Sequence, residues 1–400
     1  MTKPLEGIRV LEYATFHAGP GAGAILADLG AEVIKVETKK GDALRRWHRL
    51  GPYVVTQSDG QSYMYEVSNR GKKGIVLDIT QEKGRKIFDR LVQKSDVFLT
   101  NLRYSTVYKL GLDYDSIVKE NPRIVYSRIS GYGANGEDND QGAYDFLAQA
   151  RCGFMRAVSN GVPTPGGVGI IDQAASIAAT HGIITALFVR ERTGKGQEVH
   201  SSLLSSGSWL LHVNLMAVSL TQKDLPAWDR SLQSPLRNTF FCKGGDWIVG
   251  TNHPPAKYWE ALCRATGLEH LLSDPRFDTD EDRWQNNSEL VEIFDEVFAT
   301  KTREEWLPIL KECGMMFSPV QSCPELLDDP QALANDYVVA FDHPSLGSLR
   351  VPGYPIHFSE TPADTKQPAP QLGEHTEEVL RDVGCCSQQD IELLRCEGVI

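Results

Sequence analysis

The stretch Gly166-Gly167-Val168-Gly169-Ile170-Ile171-Asp172-Gln173-Ala174-Ala175 sets one carboxylate behind a glycine run and in front of a long apolar segment. An ionised, positioned aspartate is a nucleophile that attacks activated carbonyls and forms covalent intermediates. Backbone without side chains before it lets a bulky substrate approach. The segment behind it predicts a helix from Ala174 to Arg192, ended by Thr193-Gly194. Ala174, Ala178, Gly182 and Ala186 would form a row of small residues open to a close neighbour, with Ile177, Ile184 and Phe188 as the bulkier face. Asp172 then sits at or near the N-cap, where free N–H groups and the helix dipole favour its ionised form by about 0.3–1 kcal/mol. Aspartate is also a default capping residue, so these residues alone leave cap and nucleophile both open.

The elements that must hold this carboxylate alternate between strand and helix. Ile8–Glu12 reads as a buried strand, Gly19-Pro20-Gly21-Ala22-Gly23 as a loop, the following residues to Leu29-Gly30 as a helix, and Glu32–Glu37 as a second strand. Gly19, Gly21 and Ala24, with Glu37 closing the second strand, also fit the loose dinucleotide fingerprint, which keeps an NAD-linked dehydrogenase as an alternative. Pro20 removes one N–H that a pyrophosphate would use. Ser68–Asp78 is a basic, glycine-containing turn opening into a strand, so Arg70, Lys72 and Lys73 are either a solvated turn or a phosphate clamp. Further strands at Val97–Thr100 and Ile124–Ile129 end at Arg103 and at Ser130-Gly131. This alternation predicts an α/β fold: a Rossmann-like large domain with a parallel sheet, whose ligands gather at strand ends.

A strand at Glu198–Ser201 and a helical stretch at Leu203–Leu220 follow, the latter with Trp209, Leu210 and Leu211 expected in the core. Residues 1–220 are thus expected to form the first part of the large domain, 221–235 a linker, 236–330 a smaller α+β domain, and 331–400 a return to the large domain. The smaller domain would contain a hairpin at Phe240–Val249 turning at Gly244-Gly245-Asp246.

The chain of 400 residues carries a net charge of −12, which argues against a general nucleic-acid binder. Its N-terminus lacks the apolar core of a signal peptide, and no run of about 18 apolar residues stands out. Eight cysteines show neither a Cys-x-x-Cys pair nor zinc spacing, so they are expected to be reduced thiols, with no metal site. Together these features predict a soluble, cytoplasmic protein without a membrane partner.

Several blocks resemble one family: Leu26–Glu37, Asn69–Lys73, Asp96–Arg103, Ser130–Gly133, Tyr144–Ala150, Arg190–Gln197 and Leu372–Thr376. In this order they are similar to the class III CoA-transferases of the formyl-CoA and carnitine type, whose relatives include α-methylacyl-CoA racemase. The resemblance implies that Asp172 is the nucleophile. It would take CoA from an acyl-CoA donor to a free carboxylic acid through an aspartyl anhydride and an aspartyl-CoA thioester. CoA enters as a substrate, and no bound cofactor is needed. Under the same resemblance Tyr144 and Asp145 line the acyl site, and His17 stands where the formyl-CoA branch has glutamine, within reach of a substrate carboxylate or oxyanion. Arg70, Lys72, Lys73 and Arg103 are the candidate clamp for the CoA phosphates. Tyr144 also occupies the place of the racemase histidine, so transfer is favoured over racemisation. The resemblance further implies an interlocked homodimer, with a hetero-oligomer containing a paralogous, non-catalytic subunit as an alternative. Tyr13-Ala14-Thr15-Phe16 is closer to the branch acting on aromatic, branched or dicarboxylic acids than to the oxalate branch.

Overall fold

Short runs rich in valine and isoleucine assemble the central sheet. In the computed structural model, which describes residues 2–56, 60, 62–159, 161–223 and 228–400, six such runs form strands. They are β1 (Arg9–Tyr13), β2 (Glu32–Glu37), β3 (Lys73–Val76), β4 (Val97–Thr100), β5 (Val125–Ser130) and β6 (Glu198–Ser202). They lie in the order β3-β2-β1-β4-β5-β6, and every neighbouring pair is parallel. The inner strands are buried on both faces, which is why β4 reads Val-Phe-Leu-Thr without polar alternation. Strand order reverses between β1 and β4, and in such sheets the crevice beyond the carboxyl ends at that point receives ligands.

Helices cover both faces: α1 (Ala18–Asp28), α2 (Tyr63–Asn69), α3 (Glu82–Gln93), α4 (Tyr104–Lys109), α5 (Tyr114–Glu120), α6 (Asp145–Arg151) and α7 (Ile170–Thr193). One core joins Leu11, Phe88, Phe98 and Tyr126 on the α3 side. The other joins Val10, Leu26, Val125, Ala175 and Ile183 on the α1 and α7 side.

Two expectations change here. The glycines of the dinucleotide fingerprint lie inside α1, not in a loop, so they do not offer a phosphate a run of free N–H groups. Their purpose is proximity. A Cβ on Gly19 would sit 2.9 Å from Asn101 Cγ, one on Gly21 2.5 Å from Ser176 Oγ, and one on Gly23 2.0 Å from Glu12 Oε2. Helix α7 starts at Ile170, earlier than expected, and its inner row is Ile171, Ala175, Ala179, Ile183 and Ala186. Ile177, Ile184 and Phe188 face outward. Gly182 still acts as a contact point, because a Cβ there would meet Val199 Cγ1 at 2.6 Å. By length and composition α7 would suffice to cross a membrane, which corrects the expectation that the chain has no such run, but its inner row is core.

The stretch expected as one helix over 203–220 is two, α8 (Leu203–Leu210) and α9 (His212–Thr221), bent by 71°. Leu211 at the break is buried, whereas Trp209 is 74% exposed and Leu210 is exposed with it, because the bend turns only Leu211 inward. The residues before 159, residues 162–223 and Pro330–Ile400 make up one compact unit. The C-terminal part docks on β3, where His375 Nδ1 accepts from Gly74 N–H at 3.3 Å and Thr376 Oγ1 from Val76 N–H at 3.0 Å.

Residues 228–329 form the bulk of a second unit. Its antiparallel strands Thr239–Phe241, Trp247–Gly250 and Phe317–Pro319 pack on helices Pro255–Thr266, Asn287–Phe298 and Arg303–Glu312 through Phe240, Phe294, Phe298 and Trp306. Gly244 and Gly245, at φ 100° and 104°, make the hairpin turn. Residues 224–227 of the expected 221–235 linker lie outside the described residues.

Candidate active site

Beyond the carboxyl ends of β1, β4 and β5 lies a cavity of about 250 Å³. The loop after β1 contributes Phe16 and His17, the one after β4 contributes Asn101 and Arg103, and Tyr144 and Asp172 complete the working surface. Asn101 fastens the reversal point by accepting from Thr15 N–H at 2.9 Å and donating to the Thr15 carbonyl at 2.7 Å. Gly19 makes room for it. Phe16 sits at φ 61°, a left-handed conformation unfavourable for a bulky residue by about 1–2 kcal/mol. Its ring meets Tyr144 edge-on at 5.3 Å and Trp47 at 6.3 Å. This strained turn delivers His17 to the cavity.

Asp172 is in the first turn of α7, with Gly169 as the N-cap residue at φ 74°. The cap oxygens come from elsewhere. The buried Asp145 carboxylate accepts from Ile171 N–H at 2.7 Å, Asp172 N–H at 3.2 Å and Gly169 N–H at 3.1 Å. Gln149, one turn along α6, donates to Asp145 at 2.6 Å and to the Gly167 carbonyl at 2.8 Å, and accepts from Gly166 N–H at 3.0 Å. The α6 pair therefore clamps the glycine run. Asp145 does not line the cavity as expected of an acyl-site residue, because its oxygens are spent on the helix end.

This arrangement changes the charge state expected of Asp172. Burial, and secondarily the Asp145 charge, push its pKa up to about 7. His17 is held between Ser68 Oγ, 2.7 Å from Nδ1, and Gln173 Oε1, 3.1 Å from Nε2. With Gln173 oxygen as acceptor, Nε2 carries the proton. Burial lowers the pKa of His17, which keeps the ring neutral.

The four candidate cations part company. Arg103 is exposed at the cavity rim, lying against Gly142. Arg70 pairs bidentately with Asp28 at 2.5 and 3.0 Å. Lys73 bridges Glu32 at 2.9 Å and Glu378 at 2.7 Å. Lys72 is buried, held by Glu12 at 2.7 Å, the Pro20 carbonyl at 2.7 Å and Asn69 at 3.0 Å. Glu12 also pairs with buried Lys35, which reaches Asp42. None of these three cations lines the cavity.

The family described as CoA-transferase family III matches residues 5–376. The chain belongs to that family. It is 32% identical to the (R)-2-hydroxy-4-methylpentanoate CoA-transferase of Clostridioides difficile, over 95% of each chain. It is 34% identical to the succinyl-CoA:glutarate CoA-transferase of Mus musculus, over all of this chain and 90% of that one. A CaiB/BaiF family protein from Brucella suis superimposes with a TM-score of 0.85 at 28% identity, covering 96% of this chain and all of the other. The protein is accordingly an acyl-CoA:carboxylate CoA-transferase. Within this transferase, sequence reasoning missed Asn101 and Gln149. Asn101 lay inside a matching block, and Gln149 stands one helical turn after Asp145, a spacing that signals two side chains on one face. Ser68 and Gln173, which hold His17, gave no such signal.

Proposed function

We propose that this chain moves CoA from an acyl-CoA donor to a free carboxylic acid by covalent catalysis at Asp172. The observation that carries the reading is that Asp172 is, among the described residues, the one acid lining the cavity at the strand ends. Its ionised carboxylate attacks the thioester carbonyl, expelling CoA thiolate and forming a mixed acyl–aspartyl anhydride. The thiolate returns to the aspartyl carbonyl, releasing the donor acid and leaving an aspartyl-CoA thioester. The acceptor carboxylate attacks that thioester to give a second anhydride, and the thiolate then takes the new acyl group and frees Asp172. Thioester energy is conserved throughout, without hydrolysis.

Neutral His17 turns its Nε2–H from Gln173 to the developing oxyanion in this scheme. Tyr144 borders the acyl group, and Arg103 meets the CoA phosphates at the rim. Arg70, Lys72 and Lys73 act through their ion pairs, shaping the walls rather than touching CoA. Asp145 positions α7. A racemase would need a second base opposite Asp172, and Tyr144 stands in the place of the racemase histidine.

The acting form is proposed to be an interlocked homodimer, which would cover the apolar side chains of Trp209, Val213 and Leu220 that α8 and α9 expose. Sedimentation as a monomer at micromolar concentration would contradict this. A cytoplasmic location suits the eight free cysteines. The chemistry is tested by intact-protein mass spectrometry after incubation with acetyl-, succinyl- and aryl-CoA, with a hydroxylamine or borohydride trap. A modification mapped to Asp172 is expected, and CoA binding without any adduct would overturn the covalent route.

A further inference from the structure

Arg128, near the carboxyl end of β5, lines the same cavity as Asp172 and is only 2% exposed. Alternation along β5 directs it, with Tyr126 and Ser130, to the face opposite Val125 and Ile129. Its guanidinium carbon lies 3.0 Å over the Tyr104 ring. Its hydrogen-bond acceptors are neutral, the Leu102 carbonyl, 3.4 Å from Nη2, and the Tyr104 hydroxyl, and its Nε has none. Glu198 and Asp140 act on it only through space, and among the described residues no carboxylate pairs with it. Every other buried cation in this unit is paired: Lys35 with Glu12 and Asp42, Arg45 with Glu37, Lys72 with Glu12, Arg190 with Asp96.

A buried guanidinium without an anion is costly and calls for a partner that arrives from outside. The Tyr104 ring covers one side of the guanidinium, and the donors left without a protein acceptor suit a planar, two-oxygen acceptor. The outer, solvated Arg103 suits the CoA phosphates, whereas a desolvated fork deep in the cavity suits a small carboxylate.

We propose that Arg128 is the specificity-determining residue of the acid site, pairing with the second carboxylate of a dicarboxylic acid whose first carboxylate reacts at Asp172. This rests on the CoA-transferase reading above. It adds the substrate class, a dicarboxylate, and the residue that selects it.

The test compares glutarate with pentanoate, which has the same chain length and one carboxylate, as acceptors in the full-length protein. Acetyl-CoA and succinyl-CoA each serve as donor. The wild type is expected to favour glutarate. Arg128→Met should lower kcat/KM for glutarate about 10- to 100-fold, mainly through KM, the range for losing a hydrogen bond to a charged group, and leave pentanoate nearly unchanged. Arg128→Lys, which keeps the charge, should restore part of the preference and guards against misfolding of the methionine variant. Loss for both acids together with weaker CoA binding by calorimetry would assign Arg128 to the CoA phosphates and overturn the proposal. An unchanged glutarate-to-pentanoate ratio would overturn it as well. If the wild type transfers to neither acid, the transferase scheme falls instead, and glutarate calorimetry still decides: binding retained in Arg128→Met refutes the pairing, and binding lost supports it.

Discussion

Asp145→Asn separates two things that one carboxylate does: it caps α7, and its charge helps raise the pKa of Asp172. The asparagine keeps one carbonyl oxygen, enough for the Ile171 and Asp172 N–H groups that now share Oδ1. The other position becomes an amide nitrogen facing two donors, Gly169 N–H and Gln149 Nε2. Leaving buried donors unsatisfied costs about 1–3 kcal/mol, so the melting temperature should fall. Catalysis should move differently. With its pKa at about 7, Asp172 is ionised in about half of the molecules at pH 7 and in roughly one in ten at pH 6. The nucleophile is thus lost as pH falls through 7, and kcat/KM should show an acid limb there. Removing the Asp145 charge takes away the smaller of the two causes and leaves burial, the larger. The pKa of Asp172 should therefore drop but stay above the ordinary aspartate range, and the limb should shift to lower pH. The assay is kcat/KM between about pH 5 and 9 for both proteins, each normalised to its own plateau. A limb that stays in place, or moves upward, refutes the reasoning that Asp145 acts on Asp172 through charge.

Asp172→Asn should abolish transfer yet raise the melting temperature at pH 8, where the wild-type carboxylate is charged against its surroundings; at pH 5 the folded carboxyl is protonated while the unfolded one is still ionised, so the gain should shrink to roughly a third to a half and vanish only below about pH 4, and a larger gain at pH 5 would reverse the sign argument. Lys72→Met leaves Glu12 with Lys35 alone and should cost about 3–5 kcal/mol in denaturant titrations, while calorimetry finds CoA affinity unchanged; a weakened affinity would return Lys72 to the phosphate clamp. Arg103→Met should weaken CoA binding about tenfold without shifting the melting temperature, and equal binding by both proteins would remove Arg103 from the site. Gly182→Val drives a side chain toward Val199 and should destabilise by about 1–3 kcal/mol, which a thermal melt would detect.

The sheet was legible because its strands alternate with helices and turn at glycines, a pattern that parallel sheets impose on sequence. Periodicity failed where two elements touch along glycines. Gly19, Gly21 and Gly23 look like a loop by propensity, yet α1 accepts the cost of helical glycine because Asn101, Ser176 and Glu12 occupy the space a Cβ would need. The same effect hid the α8–α9 break, since an apolar run does not announce a bend, and Trp209 reads as core although it is exposed in this chain. At the site, glycines ahead of a carboxylate pointed to Asp172, but its charge state was misjudged because the dipole argument counts only its own helix. Burial is the larger cause, and the charge that adds to it is Asp145, far away in sequence and brought over by α6. Arg70, Lys72 and Lys73 show the converse. A basic run suggests phosphate until Asp28, Glu12, Glu32 and Glu378 appear beside it. Arg128 drew no attention as a lone arginine in a hydrophobic strand. It becomes informative only when the structure shows that, among the described residues, no acid pairs with it, because an unpaired buried charge is a property of three-dimensional neighbours and leaves no mark on spacing.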